Sequence, residues 1–388
     1  MLFVKLKRTY YLIQVLLYFI LISTISAHTI NLPATLVSST ESIKTVKSGI
    51  NFGEGPAVDP DGNLYFSDRN PSRIWKVSVN GTATVFRNPA NDANGMVFDK
   101  EGCLIVCEKK GLSRTEMDSS ITKILNADTL GTEGPNDLTL TSSGGVFFTS
   151  SVWGGDGKVF YLSPQGTLKT VLSFTNPPLN YPNGIELVEE KKLLYINITQ
   201  KDTIFKYYFD EQMNLSKIGA LCKTPSPDGL ALDVDGNLWV ANTNGNHQIT
   251  VFDSTGKKLG EIIVDGQESI QNCAFGGEDR KTLYITGKTT VYSLKTVVAG
   301  RSTNGVTSII RSGQFGDIRR NGSGVAYRSV IVSFNCYHPY YLQFDMINLQ
   351  GVKQWSSGTV SERVNLMSSG VLLIRITPEK GVSIPDLR

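Results

Sequence analysis

The chain has 388 residues, of which 40% are hydrophobic and 19% charged, and a formal net charge of +3. That composition excludes a disordered chain and supplies enough apolar residues for a large core. Lys5, Lys7 and Arg8 account for the excess charge, so the chain beyond residue 27 is close to neutral; without a concentrated basic face, a nucleic-acid partner is not expected.

In chain order, residues 1–27 come first. Three basic residues, an apolar run over residues 10–22 and a small-residue stretch ending at Ala27 read as a secretory signal peptide. Gln14 interrupts the run, which is short for a bilayer span. Cleavage near Ala27 and an exported protein, periplasmic, surface-bound or secreted, are therefore expected. Residues 28–44 form a leader. The strand-like stretch 42–47 is expected to supply the outer strand of the last repeat and so close a ring.

Residues 45–296 carry an internal repeat. Six oxygen-bearing residues, Glu54, Asn94, Asn136, Asn183, Asp228 and Asn272, stand at intervals of 40 to 47 residues, and each heads a short apolar strand, a turn and a second apolar strand. The hairpins Asp59-Pro-Asp-Gly-Asn-Leu-Tyr-Phe-Ser-Asp68 and Asp99-Lys-Glu-Gly-Cys-Leu-Ile-Val-Cys-Glu108 show the pattern. That period belongs to a β-propeller blade, and no stretch keeps a helical period. The expected fold is all-β, a six-bladed propeller.

In a propeller the first strand of each blade lines the central channel, so the six heads should converge at one end. Two are acids, four are amides, and none is basic. Such a ring suits a hard divalent cation, Ca²⁺ before Zn²⁺, Mn²⁺ or Mg²⁺, because Ca²⁺ accepts carboxylate, amide and water oxygens in irregular numbers. The competing explanation is that Asn94-Gly95, Asn183-Gly184 and Asp228-Gly229 are good turn dipeptides. It does not account for Glu54, Asn136 or Asn272.

Only His28, His247 and His338 exist, and His247 alone falls inside the repeats, in a loop where a solvated histidine is the ordinary outcome. A general base must then be a carboxylate, with Asp228 the candidate. The odd number of cysteines (Cys103, Cys107, Cys222, Cys273 and Cys336) and the lack of a CxxC pair point to buried free thiols. Trp239 reads as core, whereas Trp153 and Tyr181 fall in loops near heads and are candidates for the mouth of a pocket.

The blocks Gly53-Glu-Gly-Pro56, Asn94-Gly-Met96, Pro135-Asn-Asp-Leu138, Tyr181-Pro-Asn-Gly-Ile185, Pro227-Asp-Gly-Leu230 and Asn272-Cys-Ala-Phe-Gly-Gly277 follow in order and spacing. Together they resemble the gluconolactonase, senescence-marker-protein and luciferin-regenerating-enzyme family of six-bladed propellers, over about residues 53–295. The resemblance implies that Glu54, Asn183 and Asp228 ligate the divalent metal and that Asn136 meets the substrate or a metal-bound water. It implies that Asp228 also acts as base in the hydrolysis of a small sugar lactone such as gluconolactone. Asn94 and Asn272 line the channel without an assigned role. Three positions depart from relatives: Lys109 where many bacterial members have His, Thr149-Ser-Ser151 where many have Thr-Asp-Pro, and Gly134 where some animal members have Arg. Two alternatives stay open, a non-catalytic metal-stabilised binding propeller and a paraoxonase-like esterase.

Beyond the repeats, residues 297–324 read as a linker, rich in Gly, Ser, Asn and Arg. Residues 325–388 read as a small β-sandwich-like module, with strands expected over 329–334, 340–344 and 370–376. Phe344-Asp345, Leu349-Gln-Gly351, Val364-Asn-Leu366 and Ser369-Gly-Val371 resemble the C-terminal sorting modules of bacterial type IX secretion. This resemblance implies contact with secretion machinery or the cell surface.

Overall fold

The computed structural model describes residues 28–301, apart from 127, 129, 131–133, 153–156, 175–180, 245–246 and 267–268, and also three C-terminal strands by their backbone. Residues 1–27, expected to be a signal peptide, Trp153 and most of the expected linker lie outside the described residues.

Six antiparallel sheets follow one another in chain order. Their inner strands are Gly53–Val58, Met96–Phe98, Pro135–Leu140, Pro182–Val188, Pro227–Leu232 and Ile270–Gly276. Each opens within two residues of one of the six heads, so the repeat legible in the sequence is the blade repeat. Each inner strand returns through a hairpin, and in several blades the turn is set by side chain to backbone bonding. The Asp59 Oδ1 accepts the Asn63 N–H at 2.8 Å, and Asp233 Oδ1 accepts the Asn237 N–H at the same distance. A carboxylate at the start of a turn substitutes for the missing backbone partner, which is why Asp recurs there.

The sixth sheet takes its outer strand, Lys44–Ser48, from ahead of the first blade, pairing it with Thr290–Lys295. The leader is also built in. Thr29–Asn31 adds a fifth strand to the fifth blade against Lys258–Ile263, a pairing too short to read from three residues. Leu36 and Val37 are buried with Trp239, Ile249, Ile285 and Tyr292 between the fifth and sixth blades. On the other side of the repeats, the expected linker starts later than residue 297. Val298 is buried in that same cluster, and the Val297 N–H donates to the Leu36 carbonyl at 2.8 Å.

The core is six apolar layers, one between each pair of neighbouring sheets. Phe66 and Leu64 fill the layer where the ring closes, while Phe147 and Tyr207 fill that between the third and fourth blades. Each such side chain contributes about 1.5–3 kcal/mol by leaving water. Trp239 is wholly buried and donates from Nε1 to Asp233 Oδ2 at 3.0 Å. Cys103, Cys107, Cys222 and Cys273 are buried and unbridged.

The chain divides into two compact units, residues 1–305 and 306–388. In the second, Gln343–Ile347 is the central strand of a three-stranded antiparallel sheet, flanked by Lys353–Ser357 and Leu373–Thr377. Two of these overlap the expected strands. The third, Lys353–Ser357, was not expected, and residues 329–334 lie outside the described residues.

Candidate metal centre and active site

Glu54, Asn94, Asn183, Asp228 and Asn272 are each 5–6% exposed at the head of their strands. Asn136 is more open. Within the inner strands of blades one, three, four and five the pairing register slips just after the head, between Glu54 and Ala57, Pro135 and Leu138, Pro182 and Ile185, and Pro227 and Leu230. Such bulges leave residues unpaired and re-aim their side chains. The head carbonyls are fixed by the preceding blade. Ser67 Oγ donates to the Asn94 carbonyl at 3.1 Å, Thr149 Oγ1 to that of Asn183 at 2.8 Å, and Asn197 Nδ2 to that of Asp228.

The glycines that follow the heads are not turn residues. A Cβ on Gly184 would lie 2.3 Å from the Asp228 carbonyl oxygen, and one on Gly229 would lie 1.9 Å from Asn272 Oδ1. Their role is to let neighbouring inner strands approach closely at the ring of heads, which is what removes the turn-dipeptide explanation.

Electrostatically the floor of the site is acidic. Burial raises the Asp228 carboxyl well above the usual carboxylate range, and the charges of Glu54 and Asp137 raise it further; Arg69 and a hydrogen bond from Asn183 oppose the shift. Burial also raises Glu54, against Arg69, the Gly55 N–H at 3.1 Å and Asn272. Asp137 is pushed up to about 7, chiefly by lost hydration and then by Glu54. It accepts the Leu138 N–H at 2.9 Å and the Asn272 amide at 3.4 Å. Farther along the blade-four strand, burial and Asp137 push Glu186 up to about 8.

Two residues of this acidic floor, Asp137 and Glu186, escaped the sequence reading. Asp137 stands one place after a head, inside the bulge. Glu186 follows the Asn183 head by three residues, and an isolated Glu in an apolar strand was the available signal.

The residues present fit a divalent cation. Among the described residues Asp228 Oδ1 is buried with no hydrogen-bond partner, beside a second carboxylate, an arrangement that is costly unless a positive charge is added. Among the described residues no three acidic, His or Cys side chains gather as a ligand set. Glu54 and Asp228 would bring two carboxylates, and the amide of Asn183, which hydrogen-bonds Asp228, an additional oxygen. Asn183 Nδ2 donates to Thr199 Oγ1 at 3.2 Å, which leaves the amide oxygen free to ligate.

Beside this floor lies a cavity of about 410 Å³ whose lining includes Arg69, Asp92, Asn94, Lys109, Asn136, Ser151 and Tyr181. Of the loop aromatics expected at a pocket mouth, Tyr181 is therefore there. Gly134 also lines it at a positive φ of 115°, and a Cβ there would lie 2.5 Å from the Lys109 carbonyl oxygen. An arginine at this position would be excluded by sterics and strained in backbone. His247 sits away from this lining, in the fifth blade's loop.

A family model for the SMP-30/gluconolactonase/LRE-like region matches residues 52–289. A pentonolactonase of Haloferax volcanii is 26% identical over 253 residues, which cover 63% of this chain and 84% of that protein. A gluconolactonase of Zymomonas mobilis is 27% identical over 302 residues, covering 66% and 82%. Among solved structures, regucalcin of Agrobacterium tumefaciens, a calcium-binding protein, superposes with a TM-score of 0.59 at 17% identity, over 68% of this chain and 97% of that one, a likeness of fold. The matched region spans all six heads, the acidic floor and the cavity beside them, and the chain belongs to the SMP-30/gluconolactonase/LRE-like family.

Proposed function

We propose that the protein hydrolyses a small sugar lactone with a divalent cation, Ca²⁺ in the first instance, held by Glu54, Asn183 and Asp228. The observation that carries this reading is the partnerless buried Oδ1 of Asp228, next to a second acid and beside a polar cavity of substrate size. Relatives named pentonolactonase and gluconolactonase support the substrate class.

When bound, the cation supplies charge that keeps both carboxylates ionised and polarises a carbonyl oxygen set against it. Asn136, on the cavity side, hydrogen-bonds the substrate or the attacking water. Asp228 takes a proton from that water as its oxygen adds to the carbonyl carbon. The ring C–O bond then breaks, the proton passes to the leaving alkoxide, and an open hydroxy acid results. The half-buried site excludes bulk water and so strengthens each of these charges.

Acid release from glucono-δ-lactone, followed by pH indicator with and without EDTA, tests the reading. Turnover abolished by chelator and restored by Ca²⁺ or another divalent ion supports it. Stabilisation by metal with no turnover would favour a binding propeller, and turnover of aryl esters alone a paraoxonase-like esterase. Export after removal of residues 1–27, and attachment or secretion through the C-terminal unit, belong to the same proposal; N-terminal sequencing of the mature protein checks the first.

A further inference from the structure

We propose that the lactone carries an anionic group, a carboxylate or a phosphate, and that Arg69 in the cavity wall binds it. This rests on the lactonase reading above and narrows its substrate class.

The cavity holds two cations, and they are not equivalent. Lys109 Nζ stands 3.7 Å from Asp92 Oδ2, so its charge is already answered within the same wall. Arg69 forms no ion pair among the described residues. Its backbone N–H donates to the Phe52 carbonyl at 2.9 Å, and its guanidinium lies 5.7 Å from the centre of the Phe52 ring. These contacts anchor the residue at the cavity without using the guanidinium's hydrogen-bonding edges. The acids that feel its charge are Glu54 and Asp228, at longer range. In the reading above those two carboxylates face the cation, so neither is the guanidinium's partner.

The rest of the lining is uncharged: the amides of Asn94 and Asn136 offer hydrogen bonds of the kind hydroxyl groups accept and return, while the Ser151 hydroxyl donates to the Pro182 carbonyl and can only accept. A planar guanidinium fork matches a carboxylate or phosphate with two parallel bonds, whereas a hydroxyl uses one of its donors. A neutral sugar lactone would leave this exposed charge to water alone beside the bound ligand. One bearing an anion places that group on Arg69 and the lactone carbonyl over the acidic floor. Attraction of opposite sign at the wall also offsets the repulsion that Asp92 and the floor carboxylates exert on an incoming anion.

The test uses two matched pairs with the full-chain protein in Ca²⁺: glucono-δ-lactone against the same lactone phosphorylated on its terminal hydroxyl, and the γ-lactones of gluconic and glucaric acids. The wild type should show a higher kcat/KM for the anionic member of at least one pair. In Arg69→Gln the anionic-to-neutral ratio should fall roughly 10- to 100-fold, through KM, because a charged hydrogen-bonded partner is lost. Arg69→Lys should fall between. Preference in the phosphate pair alone or in the carboxylate pair alone identifies the group. A wild type that favours both neutral members, or a ratio that Arg69→Gln leaves unchanged, overturns the inference while leaving the lactonase reading intact. If none of the four lactones is opened, the lactonase reading fails and this inference with it.

Discussion

Asn272 and Asp137 lie 135 residues apart, and the Asn272 amide donates to Asp137 Oδ2 at 3.4 Å. The first belongs to the sixth blade and the second to the third, opposite positions in a ring of six, so this bond spans the channel. The same Asn272 accepts the Cys273 N–H at 2.8 Å and draws the Glu54 carboxyl down. A head without a role in the sequence reading thus organises the acids around it.

Replacing that donor by an acceptor should be felt at once. Asn272→Asp sets a new carboxylate against Asp137 and Glu54 and removes the bridging N–H. In EDTA at pH 8 it should destabilise the domain by about 1–3 kcal/mol in urea denaturation. The loss should shrink at pH 5, where Asp137, pushed up to about 7, is protonated and can donate.

Asp228→Asn separates function from stability. Lactone opening should fall on the order of 100-fold or more, because in the mechanism proposed above Asp228 serves as both ligand and base. Without metal the variant should melt higher than wild type, since the amide relieves a buried carboxyl repelled by Glu54 and Asp137. Saturating Ca²⁺, which should stabilise wild type by about 2.7 kcal/mol at a hundred times Kd, should stabilise the variant much less. Differential scanning calorimetry with and without EDTA reads both.

Glu186 gives a pH dependence of fixed sign. Its carboxyl rises from 4.5 to about 8 in the folded protein. The folded state therefore binds the proton more tightly than the unfolded chain. This contribution is complete below about pH 4.5, erodes as pH rises, and is spent above pH 8. Glu186→Gln should leave the melting point unchanged near pH 4 and raise stability progressively up to pH 8, by an amount on the order of a few kcal/mol. A constant offset at every pH would contradict the assignment.

Gly184→Ala tests the close approach of the inner strands. Its added methyl would lie 2.3 Å from the Asp228 carbonyl oxygen and 3.0 Å from Asn197 Nδ2. A cost of about 1–3 kcal/mol is expected, with reduced Ca²⁺ affinity because the strand carrying Asp228 must shift. Calorimetry and metal titration check the two effects separately.

What was legible in the sequence is what repeats. Glu54, Asn94, Asn136, Asn183, Asp228 and Asn272 recur at blade spacing, so the fold and the ring of heads could be read from period alone. Asp137, Glu186 and Arg69 occur once each, in a bulge, inside a strand and in a loop, and only folding brings them to the same channel. The head glycines were legible as residues but not in purpose, since dipeptide preferences speak of turns and their actual constraint comes from a strand about 40 residues away. The leader strand Thr29–Asn31 gave no period at all; it is held by its partner in the fifth blade.

The outer strand that blade six borrows from residues 44–48 has a kinetic side. Its partner lies nearly 250 residues downstream, so the final sheet cannot assemble on the growing chain until almost the whole domain exists. Pairings of such separation form late, after a large loss of chain entropy. Glu54 sits directly behind that strand, while Asp228 and Asn183 come from blades completed on the far side of the ring. On the proposed ligand set, a half-made propeller would not yet bring Glu54, Asn183 and Asp228 together, and metal affinity would arise only as the circle shuts.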